Sequence, residues 1–243
     1  MQTKRIKQLN AKATGLDAQG IIKLGLNEFP SKVSFATNLG EEDQVITDMI
    51  AKTAPGIGIL TLDTGRLFAE TYELMAKNQK KYSNLDFKIY YPDTKTVEGM
   101  VRTKGINLFY ESVENRKLCC HVRKVEPLQR ALSHADAWIV GLRREQSLTR
   151  AGLEPVQWDE ENKKIKFSPL YNWSLEQVRD YIKKNNVDIS PLHAQGFISI
   201  GCAPCTRAVK PGEDSRAGRW WWEVSEQKEC GLHNNPKWKG SKK

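Results

Sequence analysis

Apolar residues along this chain fall into short dense runs separated by longer stretches with helical spacing. Lys32 to Ala36 (KVSFA), Ile57 to Asp63 (IGILTLD), the run LDFKIYYP ended by Pro92, and DAWIVGLR each read as a short buried strand. Between them Val45, Ile46, Met49 and Ile50 form a helical stripe. LFAETYELMAK, a stretch around Val97–Arg102 and VRKVEPLQRALSH read as further helices, with Pro127 restricting where the last can begin. Residues 1–31 read as a helical lead-in closed by Pro30. Strands alternating with helices predict an α/β fold, a mostly parallel sheet with helices on both faces. Ligands bind such sheets beyond the carboxyl ends of the strands. TNLGEED, LDTGR and GLRREQS all fall at those ends, so a nucleotide pocket is expected there.

The texture changes after Arg150. WSLEQVRDYIKKNN predicts a helix: Ser174 is placed to cap it, Gln177 holds the capping-box position, and Leu175, Val178 and Ile182 share a face. From Pro191 onward Gly, Pro, Cys and Trp dominate and periodicity disappears, which suits a segment ordered by a metal or ligand. The expected organisation is therefore residues 1–31 as lead-in, 32–190 as the nucleotide-binding α/β unit, and 191–243 as an irregular segment of the same domain.

Composition narrows the class. The chain has 243 residues, 39% apolar and 28% charged, enough length to bury a real core. No apolar run approaches the ~20 residues of a membrane helix, and no apolar stretch follows the basic N-terminal residues. A cytosolic protein without membrane attachment is expected. In that compartment disulfides are rare, so clustered cysteines point to metal or to chemistry. There are five, which divides most simply into four ligands and one reactive thiol. The net charge of +9 suits either nucleic acid or a small anion. No nucleic-acid-binding module is visible, and Arg/Lys clusters lie beside cysteines, which favours the small anion.

Cys202-Ala-Pro-Cys205 is a CxxC, a spacing at which one tight turn offers two thiolates to one metal site. Cys119-Cys120 is a rarer pair: neighbouring side chains point apart, and several iron corners accommodate them more easily than a single ion. Structural zinc and buried free cysteines remain the alternatives. Lys124, four residues after Cys120, falls on the same helical face and is either a surface lysine or a cation between metal site and substrate. Arg143, Arg144 and Arg150 in one cluster, and Arg216 and Arg219 in another, suit phosphate or sulfate through their planar forks. Glu213 and Asp214 are the ordinary ion-pair alternatives for the second cluster. Trp220, Trp221 and Trp222 read as packing for the tail rather than a base-binding platform. Cys230 in KECGLH stands alone between Lys228 and His233, where nearby cations favour the reactive thiolate.

These stretches closely resemble the assimilatory adenylyl-sulfate reductases, relatives of the phosphoadenylyl-sulfate reductases. The likeness is carried by VSFATNLGEED, LDTGRL with ETYEL, CCHVRKVEPLQRAL, GLRREQSLTR, SIGCAPCTRAVKPGEDSRAGRWWWE and KECGLH, from residue 33 to 233. The resemblance implies an adenine nucleotide alpha hydrolase-like fold and one 4Fe–4S cluster on Cys119, Cys120, Cys202 and Cys205. It implies that Cys230 attacks the sulfur of adenosine 5'-phosphosulfate, releases AMP, and leaves an S-sulfonate that thioredoxin or a glutaredoxin-like donor reduces to sulfite. By position, Lys124, Arg216, Arg219 and His233 would contact the phosphosulfate, and Ser34, Leu62, Thr64 and Gly141 the nucleoside. The loop SFATNLGEED departs from the glycine- and serine-rich pyrophosphate loop of the wider superfamily, which argues against ATP hydrolysis. A phosphoadenylyl-sulfate or dual-substrate reductase is the nearest alternative, and a metal-containing nucleic-acid-binding protein a distant one. Oligomeric state is left open, a homo-oligomer included.

Overall fold

The computed structural model describes residues 2–146, 150–214 and 216–223. A six-stranded sheet forms its centre, in the order β3-β2-β1-β4-β6-β5. The strands are β1 (Val33–Thr37), β2 (Gly58–Leu62), β3 (Phe87–Tyr90), β4 (Ala137–Ile139), β5 (Val156–Asp159) and β6 (Lys164–Phe167). All neighbours pair in parallel except β5 with β6.

The alternation expected of strands explains which residues face which layer. Phe35, Ile59, Ile139 and Phe167 join the core under α2 (Ala18–Glu28), α3 (Glu41–Thr53) and α8 (Leu175–Asn185). Leu60, Trp138 and Val140 point the other way, into a core with Leu128 and Leu132 at the end of α7 (Glu126–Ala131). Both faces are covered, which is why the central strands read as continuous apolar runs. The chain leaves β1 for β2 and β3 on one side, then returns to place β4 on the other. Connections diverge at the carboxyl ends of β1 and β4, and a crevice opens there.

Three features differ from the sequence reading. The lead-in is two helices, α1 (Gln2–Ala13) and α2, the second capped by Asp17. A hairpin, β5 with β6, extends the sheet where no strand was expected. Its strands are four residues each and half polar, and their place is set by partners: Ile165 and Phe167 enter the core, while the Asn10 side chain bonds both N–H and C=O of Val156. That amide covers part of an otherwise open edge. The third difference concerns Pro127, which begins no helix. Helix α6 (Val113–Cys120) runs through a wide π turn, His121–Val125, directly into α7. A proline removes one hydrogen bond and pushes away the carbonyl four residues earlier, here that of Arg123. The π turn absorbs this, and the Glu126 N–H donates to His121 O, five residues back.

The capping box on α8 is formed as expected: Gln177 N–H donates to Ser174 Oγ at 3.1 Å, and Ser174 N–H to Gln177 Oε1 at 2.8 Å. Replacing Ser174 by alanine should lower unfolding free energy by ~1 kcal/mol without altering ligand binding, as read by urea denaturation.

Candidate active site

The crevice at the strand ends is a cavity of about 470 Å³. Its floor is apolar, built from Ala36, Leu60, Leu62, Trp138 and Val140 with Leu128 and Met75. Such a slot fits a flat aromatic ring, with backbone groups at strand ends left for polar edges. Its polar lining includes Thr64, Lys124, Arg216 and Arg219. Eight residues singled out in the sequence, Leu62, Thr64, Lys124, Gly141, Arg143, Arg150, Arg216 and Arg219, thus line one cavity. Ser34 does not join them. It is the second residue of β1, at the far end of the strand, and Ala36 and Thr37 form that wall instead.

The turn after β1 explains the unusual loop sequence. Leu39 N–H donates to Thr37 Oγ1 and Gly40 N–H to Asn38 Oδ1, so side chains close the turn that glycines close elsewhere. The first turn of α3 then carries Glu41, Glu42 and Asp43. Three carboxylates at a helix N-terminus take the place an incoming phosphate would use. Glu41 pairs with Arg179 and Glu42 with Arg143, the latter at 2.8 Å. Arg143 is therefore an ion-pair partner, and Arg144 bonds Leu153 O and lies over Tyr171.

Asp43 was not foreseen. It is buried against Gly141, where a Cβ would lie 2.1 Å from Asp43 Oδ1, so only glycine fits at 141. Asn38 N–H donates to its Oδ2 at 2.6 Å. Burial pushes its carboxyl up to about 7 despite hydrogen bonds from the Asn38 and Gly141 backbone. Unfolded, it ionises near its ordinary value of 3.8. Between those two pH values the native state holds a proton that the unfolded state has lost, so stability falls as pH rises through this window and levels off above it. The expected drop between pH 5 and pH 8 is on the order of 2–3 kcal/mol. Asp43→Asn should abolish that slope, checked by urea unfolding of both proteins at the two pH values. His193 is the second unforeseen residue: it lines the cavity, its Nδ1 is 2.8 Å from Phe197 O, and its buried Nε2 has no hydrogen-bond partner.

A second, smaller cavity is lined by Cys119, Cys120, Cys202 and Cys205. The CxxC forms a 3-10 turn, Ala203–Cys205, held by Ala203 N–H to Arg66 O, Cys205 N–H to Cys202 O and Tyr110 Oη to Pro204 O. Thr64 Oγ1 lies 3.2 Å from Cys202 Sγ, and Arg123 donates to Thr64 O at 2.6 Å. These contacts tie the loop after β2 to both cysteine pairs. Lys124 and Arg219 line both cavities. Arg219 lies against the 199–201 backbone, 3.4 Å from Ser199 Oγ and Ile200 O, where a Cβ on Gly201 would meet its Nη2 at 2.3 Å. Glu213 is not a partner of Arg219; it pairs with Arg207 at 2.8 Å, and Asp214 accepts from the Arg216 N–H. Trp220 is buried and Trp222 packs edge-on against Tyr110, so these two serve the tail's packing, while Trp221 is 40% exposed. Cys230 and His233 lie outside the described residues.

Residues 32–208 match the phosphoadenosine phosphosulfate reductase domain. The chain belongs to that family. Within it, an adenosine 5'-phosphosulfate reductase of Burkholderia cepacia is 48% identical over 226 residues, 93% of this chain and 89% of the relative. One from Neisseria meningitidis is 50% identical over 199 residues, 82% of each chain. Among solved structures, the phosphoadenylyl-sulfate reductase of Candida auris superposes with a TM-score of 0.74 at 30% identity, covering 86% of this chain and 98% of that one. Yeast FAD synthetase shares the fold, with a TM-score of 0.54 at 14% identity.

For this member of the reductase family the four-cysteine cavity can be tested against a 4Fe–4S cluster. Among the described residues no group of three or more His, Cys, Asp or Glu side chains is arranged to hold a single metal ion. Burial pushes the Cys119 and Cys205 thiols up, Cys205 to about 12, with Cys202 adding to it. Such thiols keep their protons until a metal replaces them. The walls also hold Arg66, Arg116, Arg123, Lys124 and Arg219, with no carboxylate among the described lining residues. Buried Arg219 Nε and Trp220 Nε1 have no hydrogen-bond partner. Four thiols, a cationic wall and spare N–H donors fit an anionic thiolate-bound cluster. No helix among the described residues is long and apolar enough to cross a membrane.

Proposed function

We propose that this chain reduces adenosine 5'-phosphosulfate to sulfite and AMP, with Cys230 as nucleophile and thioredoxin or a glutaredoxin-like protein as donor. The observation that carries the reading is the position of Lys124 and Arg219, shared by the apolar nucleotide slot and the four-cysteine cavity. An adenosine seated in the slot would direct its 5' substituent toward these cations. Cys119, Cys120, Cys202 and Cys205 would hold one 4Fe–4S cluster, which would supply a fixed charge beside the substrate anion.

The Cys230 thiolate attacks the sulfate sulfur. A sulfur–sulfur bond forms, the bridging S–O bond breaks, and its electron pair leaves on the phosphate of AMP. Arg216, Arg219 and Lys124 lower the barrier by holding two anions together and by stabilising the charge that moves to AMP. His233 would join them. A donor thiolate then attacks Cys230 Sγ and the sulfonate leaves as sulfite with the bond's electron pair; the donor's second thiolate attacks the resulting mixed disulfide, closing the donor disulfide and expelling the Cys230 thiolate. Thiol turnover of this kind belongs in a reducing cytosol.

The carboxylates at the start of α3 favour this reading over ATP chemistry, since a triphosphate there would meet Glu41, Glu42 and Asp43. The deciding experiment is anaerobic sulfite release from adenosine 5'-phosphosulfate and from its 3'-phosphorylated form, with and without thioredoxin. Preference for the unphosphorylated nucleotide, with no sulfite before donor is added, is expected. Equal or reversed efficiency would assign the chain to the dual-substrate or phosphoadenylyl-sulfate reductases. Salt-sensitive nucleic-acid binding without sulfite release would support the distant alternative.

A further inference from the structure

The segment that carries the nucleophile starts from one buried ion pair. Arg116 sits on α6, three residues before Cys119, and is 1% exposed. Its Nε and Nη2 donate to the two carboxylate oxygens of Glu223 at 2.9 and 2.7 Å. Both side chains are shut away from water, 1% and 3% exposed. The Arg116 guanidinium also lies 4.7 Å from the centroid of Trp220 and lines the cysteine cavity. Glu223 is followed after seven positions by Cys230. We propose that the Arg116–Glu223 pair is the fixed root of the Cys230 arm, making both of them positioning residues for the nucleophile.

Tether geometry supports this assignment. Seven residues reach at most ~24 Å when fully extended. The root's location therefore decides which part of the protein the thiol can reach. A forked Arg–carboxylate pair fixes direction as well as position, because two parallel hydrogen bonds define a plane. It fastens the arm to the helix bearing Cys119 and Cys120, next to the cations that hold the sulfonate. A surface pair could not do this, since exposed ion pairs hold their geometry weakly. Length alone sets a useful baseline. Releasing Glu223 moves the root back to Trp222 or Trp220, lengthening the tether by at most three residues, and local concentration then falls less than about twofold. Any larger effect reports lost direction.

The inference rests on Cys230 being the nucleophile, and the test separates the two. Anaerobically prepared full-length protein is mixed with adenosine 5'-phosphosulfate without donor, and the Cys230 sulfonate is timed by mass spectrometry. AMP affinity, iron content and thermal stability are measured alongside. Glu223→Ala should slow adduct formation at saturating substrate at least tenfold, with KM and AMP affinity within twofold. Glu223→Gln, which keeps the volume and one acceptor, should slow it about threefold to tenfold. Arg116→Lys should act in the same direction, and the Arg116→Lys/Glu223→Gln double variant should be no slower than the slower single one, as members of one pair behave. Rates within twofold of the unsubstituted protein would overturn the anchor. Iron, thermal stability and AMP affinity falling in step with the rate in every variant would also overturn it, by reducing the pair to a structural support. Absence of any Cys230 adduct in the unsubstituted protein would instead overturn the nucleophile assignment itself.

Discussion

Cys230→Ser is expected to lower sulfite formation by at least about a thousandfold while leaving AMP affinity within about twofold. A thiol is several orders of magnitude more acidic than a serine hydroxyl, and the attack uses the ionised form. Lys124, Arg216 and Arg219 line the cavity. Those cations remain in the variant, so the nucleotide should bind as before. The variant should also keep the colour of the unsubstituted protein, because the cluster is proposed on Cys119, Cys120, Cys202 and Cys205, the four thiols that line the small cavity. Incubation of the unsubstituted protein with substrate alone should release one AMP per chain, place one sulfonate on Cys230, and yield no sulfite until donor is added. A single thiol left over from the four proposed cluster ligands can accept the group and has no second thiol to resolve it. An adduct on a cavity cysteine, or full activity in Cys230→Ser, would sink the assignment.

Replacing Cys202 or Cys205 by serine should remove colour and activity together. The anaerobically prepared protein is expected to contain about four irons and four sulfides per chain, read by metal and sulfide analysis. Cys202 is the more informative position. Its sulfur touches Thr64 Oγ1 on the loop after β2, and its carbonyl accepts from Cys205 N–H and Thr206 Oγ1. Losing the cluster should therefore loosen the nucleotide slot as well as the CxxC turn. It should also leave Arg123 and Arg219 beside a cavity without its compensating charge, which is costly for buried cations. A weaker affinity for AMP in Cys202→Ser than in Cys230→Ser is the corresponding expectation. A colourless unsubstituted protein holding one zinc would end the cluster assignment.

Much of this architecture was legible in the residues. The central parallel strands β1, β2 and β4 announced themselves as apolar runs because burial on both faces leaves little room for polar side chains, while the edge strand β3 is only half-buried and carries an exposed Lys88. The capping box of α8 was legible because its two hydrogen bonds are local, set by residues three apart. Family likeness over residues 33 to 233 pointed to four cysteines, which line one cavity, and to Lys124, Arg216 and Arg219, which line the larger one; Ser34, which the same likeness gave to the nucleoside, lies at the other end of β1.

Other features depended on partners distant in the chain. The β5–β6 hairpin is short and half polar, and gains its place from β4 and from Asn10 of α1, well over a hundred residues away. Whether Pro127 ends a helix or is absorbed by a π turn depends on the backbone around it, and neither pattern nor propensity distinguishes the two. Arg143 and Arg219 looked alike in sequence; one faces Glu42 and the other lies between two cavities, since charge pairing is settled only when the chain has folded. Asp43 carried no signal beyond an acidic cluster at a helix start. Only the packing of α3 against Gly141 buries it and raises its carboxyl to about 7. The amino-acid sequence by itself determined the layers of the fold and the kinds of chemistry available, because local periodicity and residue type carry both. Tertiary structure decided which charges are neutralised, which line the cavities, and which helix holds Glu223, because each depends on contacts between residues far apart in the chain.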